Sequence, residues 1–169
     1  SDIAEEKILN TLRLMYNRGP DFQNYFLTKN AYVNIALLHS RLSIIDIDPR
    51  SNQPFRQKHA TLIFNGEIYN YVELRNELKK MGVCLSTQSD TEVLLNYYLL
   101  YGERCVDYFE GMWAFSIYDE KEKKLFLSRD RFAEKPLYFF ERPDGFYFAS
   151  ETRFLESLSD IRLSVNYRH

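Results

Sequence analysis

The sequence predicts an α+β fold of antiparallel sheets with helices grouped on their faces. Three observations carry that expectation. The predicted elements run helix, strands, helices, strands, helix, with few of the strand–helix–strand repeats that a parallel sheet requires. The links between successive strands are short enough for hairpins. Apolar residues make up 45% of 169 residues, ordinary usage that can bury the core of one domain.

Residues 3–17 place Ile8, Leu9, Leu12, Met15 and Tyr16 on one helical face, and Gly19-Pro20 stops the pattern. Residues 22–28 and 32–38 read as strands joined by a Lys29-Asn30 turn. Residues 41–47 alternate loosely and are expected to be extended, with a polar loop over 48–59 holding Pro49 and Pro54. Residues 60–64 form a short apolar strand that Asn65-Gly66, a strong turn signal, is expected to end. A helix follows, with Asn70 as cap, Glu73 completing a capping box and Gly82 beyond its end. Ser89 and Glu92 repeat that signature ahead of Val93, Leu94, Tyr97, Tyr98 and Leu100. A short helix is expected over 103–109, then strands over 112–118, 124–128, 137–140 and 146–149, and a last helix over 151–158. In the tail, 159–169, Leu163, Val165 and Tyr167 have no evident partner, so it reads as the start of a linker to another unit.

Composition excludes several functions. Lys and Arg total 22 against 24 Asp and Glu, with no run of one sign, so the clustered positive charge of a nucleic-acid partner is missing. The six glycines lie at least nine residues apart, which rules out both GxGxxG and GxxxxGK[ST] phosphate loops. Cys84 and Cys105 form no CxxC pair and His39, His59 and His169 are scattered, so reduced thiols are expected and no metal site. No stretch approaches 18 apolar residues and the acidic start lacks a signal-peptide pattern, which predicts a cytoplasmic protein with no membrane partner. Aromatics reach 16%, and Tyr69, Tyr71, Tyr97, Tyr98 and Trp113 fall at core-like spacings without interleaved Lys or Arg.

The chemistry gathers in clusters that interrupt or end apolar elements. Each has an ordinary explanation: Asn65-Gly66 as a tight turn, Asp90 as an acid in a helix's first turn, Arg41 pairing with Asp46, Arg18 capping the first helix. Together they fit a site for a small zwitterion. Arg41 can clamp a carboxylate, Asp90 can hold an ammonium, and the Asn65 side chain with the Gly66 N–H can stabilise an oxyanion. Glycine at 66 would let a backbone donor approach a reacting carbon. No nucleophile accompanies them, since neither cysteine has an adjacent base and no GxSxG elbow occurs.

At these residues the chain resembles the glutaminase domain of glutamine-dependent asparagine synthetases, which are N-terminal-nucleophile amidotransferases. The matching motifs are RGPD at 18–21, HSRLSIID at 39–46, NQPF at 52–55, NGEIYNYVELR at 65–75, SDTEV at 89–93, EGMWAFSIYD at 110–119, RDRF…KPLY at 129–138 and FASE at 148–151. The resemblance implies a four-layer αββα sandwich over residues 1–158 and hydrolysis of glutamine to glutamate and ammonia. It implies that Arg41 binds the substrate carboxylate, backbone around Leu42 and Ile44 lines the site, and Asn65 and Gly66 form the oxyanion hole. Glu67 and Asp90 would contact the amide end and the α-amino group. Its partners would be glutamine and a C-terminal synthetase domain, which would hold ATP and magnesium; the domain itself would need no cofactor, and a homodimer is compatible with it.

Two departures bear on this. The family begins Cys-Gly-Ile on a strand ahead of the first helix, whereas this chain begins Ser1-Asp2-Ile3 at the helix. The nucleophile's strand is therefore expected to lie outside these 169 residues, which alone should not hydrolyse glutamine. The usual glycine of the RDxxG turn is Ala133, so that turn is expected to be rearranged or mildly strained. Two other readings stay open: a non-catalytic glutamine-binding or scaffold module, and an amidotransferase whose acceptor is a sugar or another molecule.

Overall fold

The structure is a computed structural model that describes residues 4–29, 33–162 and 164. Helix α1 (Glu5–Met15) buries Ile8, Thr11 and Leu12 and is followed by a 3₁₀ turn over Tyr16–Arg18. Arg18 pairs with Glu151 at 3.3 Å rather than capping the helix. Strands β1 (Phe22–Lys29) and β2 (Asn34–Arg41) form a hairpin in register from Phe22↔Arg41 to Lys29↔Asn34. A second sheet has the order β3 (Phe55–Gln57), β4 (Ala60–Ile68), β5 (Gly111–Asp119), β6 (Lys124–Arg129). Between its strands run α2 (Tyr71–Lys80) and α3 (Asp90–Tyr101), with a 3₁₀ segment over Gly102–Tyr108. The hairpin of β7 (Tyr138–Arg142) and β8 (Gly145–Ala149) precedes α4 (Thr152–Ser159).

The period of two along β4 and β5 makes the second sheet the middle of the molecule. Leu62, Phe64, Trp113, Phe115 and Ile117 face α2 and α3, where they join Leu74, Leu78, Val93, Leu94 and Tyr97 in the larger core cluster. Ile63 and Tyr118 face the other way, onto Ile35 and Leu37 of β2 and Phe148 of β8. Beyond the two hairpins lie α1 and α4, joined by the Thr11 and Ser157 hydroxyls at 2.7 Å. The order is helices, hairpins, sheet, helices: α+β in four layers, as the resemblance implied. Its outer sheet layer consists of two separate hairpins. A cavity of about 1070 Å³ divides them, with β2 on one wall and β8 on the other.

Several local expectations change. Asn65-Gly66 does not end a strand; β4 continues to Ile68 because β5 pairs along it through Ile68↔Gly111. A long-range ladder has outweighed a local turn preference. The segment expected to be a polar loop contains β3, and the extended stretch after Arg41 is irregular. Asn70 precedes α2 without capping it: its Nδ2 donates to Tyr108 O and its Oδ1 accepts from Glu110 N. Ser89 does cap α3, accepting from Glu92 N, but the Glu92 carboxylate turns back to Ser86 and Thr87 instead of closing a box. Ala133 sits at φ +57°, the strain its side chain predicts, in a turn the Asp130 carboxylate holds through the N–H groups of Phe132, Glu134 and Lys135. Tyr32, Ser1 and most of the expected 159–169 linker lie outside the described residues.

Candidate active site

Position 66 is a glycine for a reason the sequence does not display. A Cβ there would lie 2.1 Å from Met112 O and 2.8 Å from Trp113 Cα. Gly111, across the same ladder, would place a Cβ 2.2 Å from Glu67 O. The ends of β4 and β5 approach so closely that neither can carry a side chain on that side.

The ladder also aims the Gly66 N–H. Trp113, its partner in register, spends its own N–H and C=O on Asp130, on the β6 side. Gly66↔Trp113 is thus a pair without mutual hydrogen bonds, and the Gly66 N–H points away from β5. Phe64 and Ile68, two residues to either side, point the same way. Strand β3 ends before reaching them, so side chains take its place: Gln53 Oε1 accepts from Phe64 N at 2.6 Å and Asp90 Oδ2 accepts from Ile68 N at 3.1 Å. The Gly66 N–H opens at the edge between these two. Asn65, on the opposite side of the pleat from Phe64, lines the cavity between the sheet layers.

Asp90 reaches Ile68 because Ser89 caps α3 and leaves Asp90 as its first residue. Burial pushes its pKa up to about 6, overcoming the N–H groups of Ile68 and Thr91, and the nearby Glu67 carboxylate adds to the rise. Glu67 and Asp90 therefore form one acidic corner. Asp46, which stands at φ +58°, connects it to the loop after β2, with Oδ2 accepting from Gln88 N at 2.7 Å and from the Ser51 hydroxyl at 2.8 Å. Burial raises its pKa, but these donors and Asp48 N outweigh that and leave it lowered.

Arg41, buried at 6% exposure, lies under that loop. Its Nη1 donates to Asn52 Oδ1 at 2.7 Å and to Asp48 O at 3.2 Å, and its Nη2 reaches Asp46 O and Ile45 O. The expected Arg41–Asp46 relation is thus a bond to the Asp46 carbonyl, not a surface ion pair. The guanidinium organises the 42–52 loop, and Leu42 and Ile44 stand outward on it at 55% and 68% exposure. The structure groups Asn65, Gly66, Glu67 and Asp90 on one strand end and one helix start; Arg41 joins them through its loop, and Leu42 and Ile44 form the rim.

The RGPD motif anchors this arrangement from below. Gly19 has no room for a Cβ, which would lie 2.4 Å from the Ser40 backbone carbonyl carbon. Asp21 N donates to Arg41 O at 3.1 Å, and Asp21 Oδ2 accepts from Ser43 N at 2.7 Å. Gln53 and His39 lie within motifs, but their residue types alone point to no role. Their signal was placement inside NQPF and HSRLSIID, but only the ending of β3 shows what they replace. Neither cysteine stands at this site. Cys105 is buried in the core, where burial pushes its thiol up to about 12, and exposed Cys84 lines a separate cavity of about 340 Å³ beside α3. Among the described residues no three His, Cys, Asp or Glu side chains converge as a metal site, and no helix is long and apolar enough to cross a membrane.

The profile of the family described as "Glutamine amidotransferase domain" matches residues 1–169. This chain belongs to that family. The amidotransferase domain is 42% identical over 153 residues to asparagine synthetase [glutamine-hydrolyzing] 1 of Bacillus subtilis, covering 89% of this chain and 23% of that protein. It is 33% identical over 181 residues to putative asparagine synthetase [glutamine-hydrolyzing] 2 of Methanocaldococcus jannaschii, covering 98% of this chain and 35% of the relative. Among solved structures, glutamine phosphoribosylpyrophosphate amidotransferase from B. subtilis, complexed with ADP and GMP, superposes with a TM-score of 0.63 at 26% identity over 73% of this chain and 29% of that one. The amidotransferase domain spans about a quarter to a third of the length of these relatives.

Proposed function

We propose that this amidotransferase domain hydrolyses glutamine to glutamate and ammonia, with the ammonia passed to an acceptor activated elsewhere in the protein. The observation that carries the reading is the open edge of β4, where the Gly66 N–H lies between two side-chain-capped neighbours and beside the Asn65 amide. Asn65 and Gly66 then stabilise the oxyanion formed when a thiolate attacks the glutamine side-chain amide. Asp90 holds the α-ammonium and Glu67 meets the amide end. The substrate carboxylate takes its place on Arg41 in exchange for loop carbonyls, which are weaker acceptors than a carboxylate. Ammonia leaves from the collapsing intermediate, and water cleaves the thioester to glutamate.

By the resemblance the nucleophile is a cysteine carried on an extended strand, and neither Cys84 nor Cys105 stands at this site. The cavity between the hairpins suits such a strand: β2 and β8 belong to separate two-stranded sheets among the described residues, and residues of both line this space. An extended strand seated there would run between β2 and β8, in a cavity that Asn65 also lines. By the resemblance the strand begins with cysteine, whose own α-amino group is the base. ATP and magnesium, with the choice of acceptor, belong to the rest of the protein. Relatives named as glutamine-hydrolysing asparagine synthetases make the formation of asparagine the reaction to test first.

The natural polypeptide, with its N-terminus read by intact mass, tests the proposal through glutamate release from glutamine. Asn65→Ala should lower kcat about 10²–10³-fold, the usual cost of one oxyanion donor. Asp90→Ala should act chiefly on KM. A polypeptide with cysteine ahead of Ser1 that leaves glutamine intact refutes the proposal, and so does an Asn65→Ala variant of undiminished kcat. A second reading is a glutamine-binding module that does not turn glutamine over. Binding of glutamine by the natural polypeptide without turnover would establish that instead.

A further inference from the structure

Phe64 immediately precedes Asn65, and two side chains hold its backbone. Gln53 takes its N–H, and His39 Nε2 lies 3.1 Å from its carbonyl oxygen. A carbonyl oxygen only accepts, so Nε2 carries the proton and Nδ1 is a bare acceptor. Burial lowers the His39 pKa to about 4, against the favourable Phe64 carbonyl, so the neutral ring is the working form. Nδ1 is buried and has no partner among the described residues, and the Ser116 hydroxyl is in the same position. Both residues line the cavity between the hairpins. His39 alternates with Ile35 and Leu37 on the inner face of β2, so this bond crosses between the sheet layers at the oxyanion strand.

We propose that His39 is a positioning residue for glutamine hydrolysis: its Nε2–H fixes the Phe64–Asn65 peptide plane from the cavity side, and so sets where the Asn65 amide and Gly66 N–H point. The proposal rests on the assignment of Asn65 and Gly66 as the oxyanion donors. The geometry explains why a side chain must do this. Phe64↔Phe115, like Gly66↔Trp113, is a pair whose N–H and C=O point away from β5, and β3 has stopped short of it. Without His39 the carbonyl is an unpaired acceptor at the edge of a sheet, and the strand can rotate about it. The bare Nδ1 on the cavity wall gives a seated strand an acceptor on the same ring.

Two variants separate positioning from packing. A glutamine side chain can bring its amide nitrogen to the place of Nε2 and donate to Phe64 O, whereas leucine fills the space without a donor. In the natural polypeptide, His39→Leu should lower kcat for glutamine about tenfold or more while KM stays within about twofold, because misplacing a preorganised donor costs transition-state rather than ground-state binding. His39→Gln should recover most of that loss. In the 169-residue chain, the amide resonances of Asn65 and Gly66 should move in His39→Leu and return toward wild type in His39→Gln, with those of Gly82 and Gly102 unmoved. An undiminished kcat in His39→Leu overturns the proposal, as does a parallel change in kcat and KM that glutamine does not rescue. If the natural polypeptide does not hydrolyse glutamine, the glutaminase reading fails by itself. The resonances then judge His39 separately, and unmoved Asn65 and Gly66 amides in His39→Leu overturn its role.

Discussion

Gly66→Ala separates two demands that could make position 66 a glycine. If only an N–H near the substrate mattered, alanine would keep the donor and the fold would scarcely notice. The structure predicts otherwise. The added Cβ would lie 2.1 Å from Met112 O and 2.8 Å from Trp113 Cα, where a relaxed C···O contact is about 3.3 Å. Strands β4 and β5 must part by roughly 1 Å at that point to admit it. Overpacking of this kind costs about 1–3 kcal/mol, a stretched ladder bond about 1 kcal/mol, and a non-glycine residue at φ +155° adds strain. The sum is about 4 kcal/mol. For a domain of this size that lowers Tm by about 10 °C. Gly82→Ala is the control: at φ +82° it meets nothing within 4 Å, so it should cost only about 1 kcal/mol and about 3 °C. Thermal unfolding followed by circular dichroism, with urea unfolding to check the free energies, reads both. A Gly66→Ala protein that melts with or above Gly82→Ala would refute the close-approach explanation.

Three further outcomes follow from particular residues. Asp90 is raised to about 6 by burial, so its charged form costs stability above that pH, and the cost fades as pH falls through 6 toward 3.8. Asp90→Asn, which keeps an acceptor for Ile68 N, should therefore gain on the order of 2 kcal/mol at pH 7 and nothing near pH 4, measured as urea midpoints at both pH values; an equal difference at both would sink this account. Ala133→Gly should raise Tm by about 2 °C by relieving the φ +57° conformation, and a lower Tm would show that the turn is not strained. Of the two thiols, Cys84 should react with an aromatic disulfide reagent in the native state and Cys105 only on unfolding, so a fast reaction at Cys105 would contradict its burial.

Much of the fold was legible because apolar spacing and punctuation agree over long segments. The helix from Asp90 announces itself through Ser89 and its apolar run, and the β5–β6 and β7–β8 hairpins through short polar links. Errors fell where a distant partner outvoted a local signal. Asn65-Gly66 reads as a turn to any rule confined to a few neighbours, yet β5 extends β4 through it. Asn70 reads as a cap, yet its amide is committed to Tyr108 and Glu110. Arg41 was visible as a candidate clamp, but that its guanidinium holds up its own loop depends on how residues 45–52 fold back over it. His39 and Gln53 carried no chemical signature, because what they do is stand in for a strand that stops early.

The sequence by itself determined the class of fold, the absence of both common phosphate loops, and the family, because these depend on residue identity and order along the chain. Which groups converge was decided only by the tertiary structure. Hydrogen-bond direction alternates along a strand, so the register of β4 on β5 sends the Gly66 N–H to the open edge. The early end of β3 calls on Gln53, His39 and Asp90 there, and the separation of β2 from β8 leaves a cavity that Asn65 lines. Register, strand length and the spacing of sheet edges are properties of paired segments far apart in sequence, and no single segment encodes them.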